Sequence, residues 1–144
     1  MSTSDPFNLN RFVEAQERVA DAVTRELRAG RKQSHWMWFV FPQVRGLGSS
    51  PTAQRYAIGS LDEASAYLAH PVLGPRVREW TQIVLAVEGR SAEEVFGYPD
   101  YLKFRSSMTL FSRVPGADPV FTKALEKYYG GEPDRKTLDI LGVD

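Results

Sequence analysis

The side chains able to do chemistry gather around one stretch, Gly30 to Pro51. His35 stands at the mouth of an apolar run, Trp36 to Phe41, where burial tunes an imidazole for acid/base work or hydrogen-bond donation. Arg31, Lys32 and Arg45 bracket that run with cations, and Gln43 adds an amide. The loop Gly46 to Ser50 contains Gly48, which lets the backbone approach a ligand. Ser49, Ser50 and the first amides of a helix opened by Pro51 then form either an anion site or a plain helix cap. Trp36 and Trp38 belong chiefly to the core with Phe39 and Phe41, yet one of them is available to stack on a flat molecule. Lys103, Ser106 and Ser107 make a second wall, because two serines inside an aromatic-faced helix fit either close packing or a pocket. Together these residues point to a small anionic or nucleotide-like ligand held beside the His35–Gln43 stretch. In that arrangement His35 is the acid/base or donor, Arg31, Lys32 and Arg45 hold the anion, and Trp36 or Trp38 stacks.

Other chemistries find no support. There is no cysteine, hence no thiolate, zinc cluster or disulfide framework. The two histidines, His35 and His70, lack the H-x-x-x-H or E-x-x-H spacing that puts two ligands on one helix face, so neither metal nor cofactor is expected. No G-x-S-x-G elbow occurs, and Ser34 and His35 are adjacent, which turns their side chains apart. The glycine loop departs from a dinucleotide fingerprint, having Pro51 in place of the third glycine and no strand–helix–strand unit around it. Eighteen basic and eighteen acidic residues cancel, which argues against nucleic acid and against a membrane surface. With no secretory signal pattern and no apolar span, the chain reads as soluble and cytoplasmic.

The elements that must position these residues are helices. Asn8 or Asn10 caps a first helix to about Ala29, whose stripe is Phe12, Val19, Val23 and Leu27, and Gly30 stops it. Arg25, Arg28, Arg31 and Lys32 either face the negative end of its dipole or serve an anion. Ser34 caps one or two turns before Pro42, or the run is an extended core segment. Ser50-Pro51 opens a short helix, Ser60 to Glu63 is a capping box for the next, and His70-Pro71 ends it. A longer helix runs from Gly74 to Val87, and a second capping box, Ser91 to Glu94, opens a short one ending at Gly97. Further helices start at Pro99, at Asp118-Pro119 and at Asp134. The expectation is an all-α, irregular multihelical globule of seven or eight helices, forming a single helical domain over residues 1–144.

Several blocks carry a resemblance: DPFNLNRFVEAQ from Asp5, GRKQSHWMWFVFPQ from Gly30, GLGSSP from Gly46 and SLDEASAYLAHPVLGPR from Ser60. FGYPDYLKFRSSMTLF from Phe96 and KTLDILG from Lys136 extend it nearly end to end. The chain resembles a bacterial family known only as domain of unknown function eighteen-ten, sometimes mislabelled calpastatin, and looks like an actinobacterial member. The resemblance implies a small multihelical cytosolic protein and no established activity. A second reading therefore stands beside the pocket: a non-catalytic helical interaction module offering Tyr98, Tyr101, Tyr128 and Tyr129 to a protein partner.

Overall fold

The computed structural model describes residues 5–144. Within them the chain forms ten helices and no strand, with one isolated parallel bridge between Val44 and Ile58. The helices are α1 Asn10–Glu17, α2 Ala20–Arg28, α3 Met37–Val40, α4 Pro51–Arg55 and α5 Leu61–Ala69. They continue as α6 Leu73–Ala86, α7 Ala92–Phe96, α8 Asp100–Ser112, α9 Val120–Tyr129 and α10 Arg135–Leu141. The all-α class holds, but the number is ten rather than seven or eight, for two physical reasons.

The first helix is broken at Arg18–Val19, where Val19 leaves helical geometry at φ −125° and ψ −5°. The break lets α1 turn Phe12 and Gln16 toward α3 and Tyr67 while α2 lays Val23 and Leu27 against α6. One straight stripe cannot serve both surfaces, and packing overrides the local pattern. Asp5, not Asn8 or Asn10, supplies the start, its carboxylate accepting from the amides of Leu9 and Asn10 at 2.8 and 3.0 Å. The second extra helix is α3, a single turn, which decides between the two readings of the apolar run. Ser34 does not cap it; that hydroxyl donates to Glu26 instead.

Elsewhere the caps fall where the sequence puts them. Ser50, Ser91 and Asp134 accept from the amides of Ala53, Glu94 and Thr137, contacts each worth about 1 kcal/mol. Ser91–Glu94 is a complete capping box. The Ser60 box is only half formed, because Glu63 reaches the Gly59 amide and the guanidinium of Arg11 rather than Ser60. His70 ends α5 and its Nδ1 accepts from Val72 and Leu73 at the start of α6.

At the centre lies α8, packed by α5, α7, α9 and α10. Its run from Ser106 to Phe111 is buried without interruption, as expected of a helix surrounded on every side. Ser106 and Thr109 tolerate this by donating to the carbonyls of Leu102 and Arg105, four residues back. This helix and the Glu26 end of α2 together place the site.

Candidate functional site

Glu26 organises the approach. It lies on the buried side of α2, 5% exposed, and its carboxylate accepts from the amides of Gln33 and Ser34 at 2.7 and 2.9 Å. It also accepts from the Ser34 hydroxyl at 2.6 Å and the Trp36 indole at 3.0 Å. Burial alone would push this carboxyl up, but the Ser34 hydroxyl, the two amides and the indole outweigh it and hold it at about 2. The segment after Gly30 is thereby clamped, with Trp36 turned inward and fully buried. Its neighbour His35 is forced outward to the rim of a cleft and is exposed, not buried at the mouth of the apolar run as its position suggested, because Trp36 takes the inward place.

From the other side, α8 brings Asp100 and Lys103. The Asp100 carboxylate is shared by Lys32 at 2.8 Å and Lys103 at 3.1 Å. Lys103 Nζ lies 4.0 Å above the ring of Trp38. This cation–π contact forms a partition between two clefts. One, of about 310 Å³, is lined by Lys32, His35, Trp36, Met37, Trp38, Phe39, Thr52, Asp100 and Lys103. The other, of about 270 Å³, is lined by Trp38, Gln43, Leu47, Pro99, Leu102, Lys103, Ser106, Asp134 and Lys136.

Two donors on these walls lack protein partners. Gln43 is only 7% exposed, yet its side-chain amide makes no hydrogen bond with any described residue, and it lines the second cleft. Trp38 likewise keeps an indole N–H without a described partner, whereas Trp36 and Trp80 donate theirs to Glu26 and Thr24. The Gln43 amide is reached from the cleft rather than sealed in the core, so it is free to bond a molecule that enters there.

Lys32, His35, Trp38, Gln43, Lys103 and Ser106 are thus assembled as the sequence suggested. Several other expected residues are not. Trp36 borders the first cleft, but its burial and its bond to Glu26 remove it as a stacking platform. Arg31 is exposed and lines neither cleft. Ser107 is wholly buried in the core, its hydroxyl without a partner among the described residues. Ser49 and Ser50 also line neither cleft; the Ser49 carbonyl accepts from Gln54, and Ser50 is the cap of the five-residue α4. Gly48 answers to packing: a Cβ there would lie 2.6 Å from that of Ala53 and 3.0 Å from the Trp38 ring. Arg45 faces a different cleft, with Arg11 and Arg55. The sequence reading missed Glu26, Thr52, Asp100, Asp134 and Lys136. A signal existed for two of these: Glu26 follows Val23 at helical spacing on an apolar stripe, and Asp100 precedes Lys103 by one turn.

Residues 6–141 match the family model described as "Protein of unknown function (DUF1810)". The chain belongs to this family. The crystal structure of the conserved hypothetical protein Rv1873 from Mycobacterium tuberculosis is similar to it, with 61% identity and a TM-score of 0.95. That similarity covers 97% of this chain and 100% of the mycobacterial one, consistent with an actinobacterial origin. No curated protein matches. Family membership therefore accounts for the fold and brings no activity with it. No helix among the described residues is long and apolar enough to cross a membrane. Of the four tyrosines of the interaction reading, Tyr98 and Tyr101 have ring centroids 6.2 Å apart. Tyr128 and Tyr129 donate to the carbonyls of Val84 and Tyr101, and only Tyr98 is largely exposed.

Proposed function

We propose that this DUF1810 member binds a small anionic, nucleotide-like molecule in the paired clefts around Trp38. The observation that carries the reading is Gln43, a largely buried residue whose amide opens on the cleft and has no side-chain partner among the described residues. An amide offers one acceptor and two donors, so it suits a ring edge or carboxamide bearing both. Trp38 adds a flat apolar surface and its free N–H. Three lysines, Lys32, Lys103 and Lys136, face two aspartates, Asp100 and Asp134, which leaves one positive charge in excess for an anionic group. His35, at the rim, is placed to donate to that group or to move a proton on it.

The experiment is a thermal-shift series on wild type, Gln43→Leu and His35→Ala against nucleotides, phosphorylated metabolites and simple anions. A ligand at 100 times its Kd stabilises the native state by about 2.7 kcal/mol. Gln43→Leu removes the cleft amide, so it is expected to fold normally and to lose the part of the nucleotide shift that exceeds the shift given by simple phosphate. His35→Ala is expected to fold normally and bind more weakly. Either the absence of any nucleotide shift beyond that of simple phosphate in wild type, or survival of that excess in Gln43→Leu, sinks the reading. The interaction-module alternative has less support, since of its four tyrosines only Tyr98 is largely exposed while Tyr101, Tyr128 and Tyr129 are part-buried.

A further inference from the structure

A cleft of about 380 Å³ shares no lining residue with those around Trp38 and is built from Phe7, Asn8, Arg11, Arg45, Arg55 and Glu63. Its base is an ion pair between Arg11 and Glu63 at 2.8 Å, with side chains 10% and 7% exposed. The donors of Arg11 are all engaged: Nε to the Arg55 carbonyl, the two terminal nitrogens to the carbonyls of Phe7, Asn8 and Ala57 and to Glu63. Arg11 is therefore framework. It has no donor left for a ligand, and Glu63 cancels its charge.

Arg45 and Arg55 are different. Neither lies within 4.0 Å of a carboxylate among the described residues. Both stand on pinned backbone, Arg55 through its carbonyl to Arg11 and Arg45 through its amide to the Ile58 carbonyl at 2.8 Å. Arg45 and Arg55, both exposed, the latter with its guanidinium 5.6 Å from the Tyr56 ring centroid, thus line one cavity whose residues carry two positive charges in excess.

We infer that this cleft is a binding site for a small phosphate monoester. A phosphoryl group carries about −1.5 to −2 near pH 7, which matches the surplus. Its three oxygens accept from both planar forks at once, while a carboxylate satisfies only one.

The test is a titration of the full chain with glycerol 2-phosphate, inorganic phosphate and acetate at constant ionic strength, followed by NMR of the arginine Nε–Hε groups. Saturable shifts of Arg45 and Arg55 with one shared Kd are expected for both phosphates and not for acetate. Affinity is expected to fall as pH drops below about 6, where the phosphoryl group regains its second proton. Arg45→Ala and Arg55→Ala should each weaken binding about tenfold or more, and Arg45→Lys, which keeps the charge but not the fork, by less. Gln43→Leu should leave this titration unchanged, which separates it from the Trp38 clefts. Shifts that do not saturate, an equal response to acetate, or an equal loss in Arg31→Ala would overturn the inference.

Discussion

A carboxylate with four donors around it ties stability to pH at one residue. Glu26 is lowered from an ordinary value of 4.5 to about 2. The charged form is the one the fold prefers, so its contribution is complete above the unfolded value and disappears as pH falls through the folded one. That amounts to about 3 kcal/mol, present at pH 7 and lost between about pH 5 and pH 2. Glu26→Gln should remove most of it, lowering stability at neutral pH and flattening the acid limb of urea unfolding measured against pH. Ser107 makes the opposite case. Its hydroxyl is buried without a partner among the described residues, so Ser107→Ala should be neutral or stabilising by up to about 1 kcal/mol in the same assay, because the desolvation cost goes with the oxygen. Both residues show what single positions conceal. A glutamate on an apolar stripe can be noticed, but its four donors come from a loop seven to ten residues away whose path the sequence does not reveal. His35 was legible as a cleft residue, yet its exposure follows from Trp36 turning inward, a choice made by Glu26.

Between elements, the strongest ties are polar. Arg11 on α1 holds the end of α4 and, through Glu63, the first turn of α5. Removing one member of a buried ion pair costs about 3–5 kcal/mol, so Arg11→Met should lower Tm by about 10 °C. Close backbone approach supplies another tie. A Cβ at Gly74 in α6 would lie 2.1 Å from the Leu68 carbonyl oxygen of α5. Gly74→Ala should therefore force the two helices apart and cost about 1–3 kcal/mol in chemical denaturation. Helix starts were largely legible, since Ser50, Ser91, Asp118 and Asp134 cap within their own segment. The Arg18–Val19 break and the half-formed Ser60 box were not, because each is decided by a partner tens of residues away. The second wall of the site was readable as Lys103 and Ser106, but Lys136 joins it only through the packing of α10 on α8.

For the molecule as a whole, eight of the ten helices contribute to one apolar cluster that runs from Leu9 to Leu125, and α10 packs on it through Leu141. Only α6 and α8, with 14 and 13 residues, approach the length at which a helix is marginally stable alone. The others depend on the shared core, so unfolding should be all-or-none, with calorimetric and van 't Hoff enthalpies in agreement. The three tryptophans divide unevenly across this body. Trp36 and Trp80 are 0% and 3% exposed, while Trp38 is half-buried on the partition between the clefts, under the ammonium of Lys103. The protein thus carries its own optical gauge. Acrylamide should quench one emitter out of three, at the red side of the spectrum, and a molecule settling in either cleft should shield that emitter without any label attached.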